Sequence, residues 1–351
     1  MDKIKVLVVD DSAIVRDILT TRLSAHPGIE VVASAIDPFI ARKKLESLPV
    51  DVVTLDIEMP KMDGLTFLKY LMKYQPMPVI ILSSLGERSS KASVEALSLG
   101  AIEVVKKPGG PFSVEDVVDE LVPLILATRG IDRAKLRAAQ ERIERRAPAA
   151  GERKILSRIS TTQRLIAVGA STGGTVALQT LFDGFTPDFP PALAVIHMPE
   201  KFTASFAERL DSTSPVHVKE AEDGETVMPA TVYIAPGGLH MTVKTVGKDR
   251  IIRVRTGPKV YGQRPSVDVL FESVAQEIGQ NAIGVLLTGM GRDGAQGMVD
   301  IRASGGHTIA QDEASSIVFG MPKEAIEMGG AVEVAGLDLI AGRIAGRLTR
   351  P

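Results

Sequence analysis

The chain alternates short apolar runs with stretches of helical periodicity, and it does so in two series. The first series contains KVLVVDD (5–11), VDVVTLD (50–56), PVIILSS (78–84) and AIEVVKK (101–107). The second contains LIAVGAS, ALAVIHM, VYIAPGG, AIGVLLTGM and HTIAQD, between residues 165 and 312. Buried strands that alternate with helices are typical of doubly wound parallel sheets. The sequence therefore predicts an α/β protein.

The two series predict two domains, at 1–126 and 161–351. The length of 351 residues agrees with this division, since a domain takes about 150 residues. Residues 127–160 carry more basic than acidic side chains, which predicts a linker with a helical piece. Within the second, mostly parallel domain, HMTVKTVGKDRIIRVRTG (240–257) predicts an antiparallel hairpin.

Composition excludes several classes of function. The formal net charge of −2 argues against general nucleic-acid binding, which needs a basic surface. The absence of cysteine excludes disulfides, thiolate metal sites and a cysteine nucleophile. No apolar run approaches the ~20 residues of a membrane span, and the acidic start MDKIKVLVVDD does not resemble a signal peptide. We therefore expect a soluble, cytoplasmic protein without membrane insertion.

Charged and hydroxyl residues end the strands of the first series. Asp10 and Asp11 follow the first strand, Asp56 ends the strand at 50–56, Ser83 follows another, and Lys107 follows the last. A single aspartate there is more often a helix cap, but these strand ends converge on one edge of a parallel sheet. Carboxylates held together favour a hard cation, so the pattern predicts a Mg²⁺ site.

The motifs VVDDS, LDIEMPKMDG, ILSS and KKP resemble the receiver domain of bacterial response regulators, over nearly all of residues 1–126. The resemblance implies a flavodoxin-like fold. It also implies that Asp56 accepts a phosphoryl group from a histidine kinase, and that Mg²⁺ is held by Asp10, Asp11, Asp56 and the backbone carbonyl of Glu58.

The same resemblance implies that Ser83 is the switch hydroxyl and that Lys107, which precedes Pro108, is the phosphate partner. Many receivers carry an aromatic switch residue shortly before this lysine, whereas Val104 stands in its place here. Rotation of an aromatic ring therefore cannot carry the signal in this chain.

In the second series, LIAVGASTGG (165–174) is compatible with a glycine loop that binds phosphate or with a turn that presents Ser171 as a nucleophile. It has neither the lysine of a Walker loop nor the pattern of a dinucleotide fingerprint. It does match G-x-S-x-G, which lifts a serine hydroxyl out of a strand-to-helix turn. By itself this match is weak, because a serine in such a turn is more often structural.

A serine nucleophile needs a base and a carboxylate that orients the base. His197 ends the strand ALAVIHM, and Asp293 follows the strand at 282–290, so both are predicted at the same edge as Ser171. The chain order of common α/β-hydrolases would instead select His307 with Asp268 or Asp293, and this alternative stays open from the residues alone.

VGASTGGT, IHMPEKFTASFAERLD, YIAPGGLHM, RPSVDVLFESVA, LLTGMGRDGAQGM and FGMPKEAI resemble the catalytic domain of the chemotaxis protein-glutamate methylesterase family, from about Leu165 to the end. The resemblance implies that Ser171 is the nucleophile, His197 the base and Asp293 its orienting acid, with the Met290 backbone N–H as an oxyanion donor. We add the Thr172 N–H, because it begins the helix.

The resemblance implies a phosphorylation-activated serine hydrolase without a cofactor for the hydrolysis. It would demethylate glutamate esters and deamidate glutamines on the cytoplasmic helices of methyl-accepting chemoreceptors, with the unphosphorylated receiver restricting access to the site. Two other classes stay open: a nucleotide-binding module that uses GASTGG, and a phospho-dependent DNA regulator. The charge balance and the lack of a basic helix-turn-helix pattern argue against the latter.

Overall fold

The computed structural model describes residues 2–84, 86–107, 114–144 and 163–348. Pro108 and residues 145–162 therefore lie outside the described part of the chain. The chain divides into two compact units, Met1–Arg145 and Arg146–Pro351. In the described residues, no helix has the length and apolar character that crossing a membrane requires.

The first unit contains a five-stranded sheet in the order β2-β1-β3-β4-β5, with every strand pair parallel. This confirms the predicted receiver-like fold. Its strands are β1 (Ile4–Val9), β2 (Ile29–Ala35), β3 (Val52–Asp56), β4 (Val79–Ser83) and β5 (Glu103–Lys106). Its helices are α1 (Ala13–Ser24), α2 (Pro38–Ser47), α3 (Gly64–Tyr74), α4 (Glu87–Ser98), α5 (Val114–Ala127) and α6 (Arg133–Glu144).

Local sequence explains where several of these elements begin. Strands β3 and β4 are buried along their whole length, as expected for central strands covered by helices on both faces. Helices α1, α2 and α3 begin at the N-caps Ser12, Asp37 and Asp63, whose side chains accept hydrogen bonds from first-turn N–H groups. Such caps satisfy N–H groups that have no partner within the helix.

Part of the predicted linker folds onto the first unit. After a short 3₁₀ turn at 128–130, α6 buries Leu136, and the Arg133 guanidinium donates to the Val50 carbonyl at 3.2 Å. Residues 133–144 thus form a helix within the predicted linker, and this helix packs against the first unit. The domain limits at 126 and 160 stay predictions, because residues 145–162 are not described.

The second unit contains a seven-stranded sheet in the order β14-β13-β12-β6-β7-β9-β8, again with every pair parallel. Its strands are β6 (Leu165–Ala170), β7 (Ala192–Ile196), β8 (His217–Glu220), β9 (Thr231–Ile234), β12 (Ala282–Leu286), β13 (His307–Gln311) and β14 (Glu333–Ala335). Its helices are α7 (Gly174–Asp183), α8 (Phe202–Thr213), α9 (Val267–Ile278), α10 (Ala295–Ala303), α11 (Met321–Glu327) and α12 (Leu337–Leu348).

The predicted hairpin is confirmed as β10 (His240–Val246) and β11 (Asp249–Arg255), a separate antiparallel pair. Met241, Val243 and Ile252 on the hairpin belong to the same buried cluster as Leu270 and Phe271 of α9. The hairpin therefore covers α9, which itself packs beside the large sheet.

Two strands of this sheet were not predicted. Strands β8 and β14 read HVKE and EVA, and both lie at edges of the sheet. An edge strand buries less side-chain surface than a central one, so these short segments need no apolar run and give little signal in the sequence.

Candidate active site

The turn after β6 presents Ser171. Strand β6 is the middle strand of the seven, and α7 begins at Gly174. Gly173 has φ +77°, and a Cβ there would lie 2.8 Å from the Cβ of Ile317. A left-handed backbone with no space for a side chain requires glycine. The glycine thus makes a sharp turn that leaves Ser171 with 9% of its surface exposed.

His197 follows β7, the neighbour of β6. Ala170 of β6 is in register with Ile196 of β7, and the His197 N–H donates to the Ala170 carbonyl at 3.2 Å. Ser171 and His197 are therefore the next residues on two adjacent parallel strands, and their side chains start from neighbouring positions.

Asp293 reaches the same place from the other side of β6. It lies in the loop after β12, and its Oδ2 is 2.7 Å from His197 Nε2. Both side chains are almost fully buried, with 6% of His197 and 2% of Asp293 exposed. The structure thus brings the three predicted triad residues to the ends of three neighbouring strands. Their catalytic roles stay predictions.

The contact with Asp293 distinguishes the two imidazole nitrogens of His197. Nε2 contacts the carboxylate, while Nδ1 is buried and has no hydrogen-bond partner in the described protein. In the common serine triad the carboxylate binds Nδ1 and the serine uses Nε2. Here the roles are exchanged, so Nδ1 is the nitrogen available to accept a proton.

Four donors surround the carboxylate of Asp293. Oδ1 accepts from the Ser266 hydroxyl at 2.8 Å and the Asp268 N–H at 3.0 Å, and Oδ2 accepts from the Val267 N–H at 2.8 Å besides contacting His197. Burial would raise the pKa of Asp293, but His197 and the backbone N–H groups outweigh it, so the pKa lies below the usual value. Asp293 is therefore held as a carboxylate.

The loop that carries Met290 passes against Ser171. A Cβ on Gly289 would lie 2.7 Å from the Ser171 Cβ, and the Ser171 N–H donates to the Thr288 carbonyl at 3.0 Å. Met290 is 36% exposed. The Thr288 hydroxyl lies 3.0 Å from the Thr172 carbonyl, so it links this loop to the serine turn. Met290 and Thr172 thus lie beside Ser171. Thr172 is in the turn and does not begin the helix as expected, because the helix starts at Gly174. The roles of the two N–H groups as oxyanion donors stay predictions.

A second polar site lies in the first unit, at the strand ends of its sheet. Lys107 Nζ is 2.9 Å from Asp10 Oδ2 and 2.6 Å from Asp56 Oδ2. Carboxylate oxygens of Asp10, Asp11 and Asp56 lie within 4.8 Å of one another. Burial raises the pKa of Asp56 to about 6, against the opposing effect of Lys107. Burial also opposes the charge of Lys107, but the two aspartates outweigh it and raise its pKa.

Ser83 and Glu58 connect this second site to α4. The Ser83 hydroxyl, at the end of β4, accepts from the Ser93 hydroxyl at 2.8 Å. The Glu58 carboxylate accepts from the hydroxyls of Ser84 at 2.8 Å and Ser89 at 2.7 Å. The Glu58 carboxylate is thus hydrogen-bonded to these two serines. The predicted role at the metal belongs to its backbone carbonyl.

Known proteins resemble the chain in both units. The family model "CheB methylesterase" matches residues 166–344, and the model "Response regulator receiver domain" matches residues 6–119. A protein-glutamate methylesterase/protein-glutamine glutaminase of Syntrophus aciditrophicus is 50% identical over 345 residues, which cover 98% of this chain and 99% of that protein. The chain belongs to the CheB methylesterase family.

Other members of the CheB family give the same result. A protein-glutamate methylesterase/protein-glutamine glutaminase of Pectobacterium atrosepticum is 45% identical over 356 residues, which cover 99% of this chain and 98% of that protein. The crystal structure of the Thermotoga maritima CheB methylesterase catalytic domain is 40% identical, with a TM-score of 0.52, and the match covers 52% of this chain and 98% of that one.

The alternative base His307 lies at the amino ends of the parallel strands, whereas the CheB-family site lies at their carboxyl ends. Ile283 of β12 pairs with His307 on one side and with Ile166 on the other, so His307 is level with the start of β6. Ser171 follows the end of that strand. At about 3.3 Å per residue, the two are separated by most of a strand length.

The donor set of the receiver site fits Mg²⁺. Three carboxylate oxygens in one cluster, two of them from the buried residues Asp10 and Asp56, are the hard ligands that this cation prefers. Val104 is buried within β5, which agrees with the absence of an exposed aromatic switch at this position.

Sequence reasoning missed the residues that hold the triad in place. Ser266 could have been found as an N-cap, because it precedes the apolar periodicity of α9. Its hydrogen bond to Asp293 spans 27 positions. The buried Gln311, whose side-chain oxygen accepts from the Thr288 N–H at 2.8 Å, gave no signal of any kind.

Proposed function

We propose that this CheB-family chain is a phosphorylation-activated serine hydrolase that removes methyl groups from glutamate methyl esters of chemoreceptors and deamidates their glutamines. The observation that carries the proposal is the 2.7 Å contact between His197 and Asp293 beside the glycine turn of Ser171. The names of the relatives supply the substrate class, protein glutamate esters and glutamines, and the family resemblance supplies the chemoreceptor. A cytoplasmic location follows from that substrate and stays a prediction.

In the first half of the reaction, the Ser171 hydroxyl attacks the ester carbonyl carbon, and its proton passes to His197 Nδ1. The negative oxygen that develops is stabilised by the Met290 and Thr172 N–H groups. The tetrahedral intermediate collapses, and the leaving methoxide takes the proton from His197. Methanol departs, and the receptor glutamate remains esterified to Ser171.

In the second half, His197 removes a proton from water, which attacks the new ester. Ser171 leaves with the proton, and the receptor keeps a free carboxylate. A glutamine side chain follows the same route, with ammonia as the leaving group. Asp293 remains ionised throughout and stabilises the charged imidazole.

We propose that Asp56 controls this reaction by accepting a phosphoryl group from a histidine kinase. Asp10, Asp11, Asp56 and the Glu58 carbonyl would hold Mg²⁺. When bound, the cation would neutralise charge between the acceptor and the incoming phosphoryl group. Lys107 contacts both Asp10 and Asp56, which supports a role as partner of the phosphoryl oxygens, and Ser83 is the candidate switch hydroxyl.

The test measures methanol released from radiomethylated receptor membranes. Ser171→Ala, His197→Ala and Asp293→Asn should each lower the rate by at least about a thousandfold, and the double variants should lose little more, because the three residues act as one unit. The control is His307→Ala, which should keep the wild-type rate.

Methanol release that survives Ser171→Ala would refute Ser171 as the nucleophile and with it the serine hydrolase.

A further inference from the structure

A buried chain of hydrogen bonds leads away from the triad at Asp293. Ser266 is fully buried and is the N-cap of α9. Its hydroxyl donates to Asp293 Oδ1 at 2.8 Å, and its own N–H donates to His240 Nδ1 at 3.2 Å. His240 Nε2 lies 2.9 Å from the Pro258 carbonyl. The chain thus runs from His197 through Asp293 and Ser266 to His240.

The partners of His240 determine its tautomer. Nδ1 accepts a backbone N–H, so it carries no proton, whereas Nε2 faces a carbonyl and must donate. His240 is 6% exposed, and a Cβ on Gly257 would lie 3.1 Å from its ring. The imidazole of His240 therefore contacts both ends of the segment 258–266 and fixes the position from which Ser266 reaches Asp293.

Among the described residues, two side chains contact Asp293, those of Ser266 and His197, and the other two contacts are backbone N–H groups. The Val267 and Asp268 N–H groups come from the first turn of α9, and that turn also begins at Ser266. With two contacts on each oxygen, the carboxylate plane cannot rotate without breaking a bond. Its orientation sets the direction in which His197 Nδ1 points.

We propose that Ser266 is a positioning residue of the hydrolase, supported by His240, and that it acts through the orientation of Asp293. This proposal rests on the proposed serine-hydrolase function. Ser266 does not touch the reacting atoms, so its loss should lower kcat and leave KM unchanged.

The first test compares Ser266→Ala with Ser273→Ala. Ser273 is on the same helix, and its hydroxyl contacts the Leu270 carbonyl and the Val243 N–H rather than the triad. Ser266→Ala removes one of the contacts that orient Asp293, so it should lower kcat about tenfold. Ser266→Thr keeps a hydroxyl and should retain most of the wild-type kcat. The control Ser273→Ala should have the wild-type kcat.

A double-mutant cycle separates positioning from general destabilisation. If Ser266 acts through Asp293, Ser266→Ala should cost about tenfold in the wild-type background and almost nothing in Asp293→Asn. An equal loss in both backgrounds would overturn the proposal. So would a wild-type kcat for Ser266→Ala.

A spectroscopic measurement does not depend on activity. The proton shared by His197 Nε2 and Asp293 should give a downfield ¹H resonance that is lost in Asp293→Asn, shifts in Ser266→Ala and is unchanged in Ser273→Ala. An unchanged resonance in Ser266→Ala would contradict the positioning role. Full activity of Ser171→Ala would instead refute the proposed function, so the two failures are distinguishable.

His240 provides a further comparison. His240→Asn places an amide oxygen where Nδ1 accepts the Ser266 N–H, whereas His240→Gln reaches only towards the Pro258 carbonyl. We expect His240→Asn to retain more of the wild-type kcat than His240→Gln at equal thermal stability. The reverse order would show that His240 does not act through Ser266.

Discussion

Asp293 and Asp268 each bind the first turn of the other's helix. Asp293 precedes α10 and accepts the first N–H groups of α9, while Asp268 in α9 accepts the Gly297 N–H of α10 at 2.7 Å. Each carboxylate benefits from the positive end of a helix. The arrangement also keeps the two negative charges close together in a buried place.

The ionisation of Asp268 should limit stability. Burial raises its pKa to about 6, and the neighbouring charge of Asp293 adds to the effect. The folded protein therefore binds this proton more tightly than the unfolded chain, for which the usual value is 3.8. The contribution of Asp268 to stability is therefore most favourable below pH 3.8, falls as the pH rises to about 6, and stays unfavourable above it.

We predict that Asp268→Asn stabilises the protein at pH 8, because asparagine cannot ionise and its oxygen still accepts the Gly297 N–H. The gain should be at most about 3 kcal/mol and should shrink between pH 6 and pH 4. Urea unfolding at several pH values measures it, with Asp249→Asn on the exposed hairpin turn as the control. A variant less stable than wild type at pH 8 would disprove the effect.

At the scale of elements, the backbone conformation of the β6–α7 turn determines the position of Ser171, the proposed nucleophile. Gly173 has a left-handed backbone and lies against Ile317, whereas Gly329 has a similar φ of +72° and nothing within 4 Å of its ideal Cβ. A comparison of the two separates the cost of backbone strain from the cost of crowding.

We predict that Gly329→Ala destabilises the protein by about 1–2 kcal/mol, since an alanine in this region is strained. Gly173→Ala should destabilise it by more, because the added Cβ would also meet Ile317. Gly173→Ala should in addition lower kcat at least tenfold, because the contact with Ile317 displaces Ser171. Initial rates and urea midpoints measure both quantities. The prediction is wrong if Gly173→Ala keeps the wild-type kcat, or if Gly329→Ala lowers kcat by the same factor as Gly173→Ala.

At the scale of the whole molecule, phosphorylation is expected to connect two sites on different units. We predict that Asp56 is phosphorylated by a small phosphodonor in a Mg²⁺-dependent manner and that Asp56→Asn abolishes the labelling. Asp11→Ala should weaken labelling at low Mg²⁺, because Asp11 contributes an oxygen to the cluster. Labelling that is unchanged in excess chelator would contradict this prediction.

The family resemblance implies that the unphosphorylated receiver restricts the hydrolase. We therefore predict that a fragment from near Ile155 is more active than the unphosphorylated full-length chain, and that phosphorylation raises the latter towards the fragment's rate. A coupling of ~1 to 3 kcal/mol would change the rate roughly 5- to 150-fold. Equal rates on the same receptor membranes would instead favour a receiver that acts by recruitment.

The sequence by itself determined the two parallel sheets and the polar residues that face one edge of each. Alternating apolar runs are a local property of the chain, and the carboxyl ends of parallel strands always lie at one edge. This is why Asp10, Asp56 and Lys107 could be predicted to meet, and why Ser171, His197 and Asp293 could be placed together.

Only the tertiary structure decided which neighbours these residues have. The register of β12 with β13 and β6 places His307 at the opposite end of the strands from Ser171. The 2.7 Å contact selects Nε2 of His197 for Asp293, and Ser266 reaches Asp293 across 27 positions. The packing of α6 against the first unit was also decided only by the tertiary structure. The same is true of the edge strands β8 and β14. Strand order, register and ring orientation depend on contacts between distant segments, and local periodicity carries no information about those contacts.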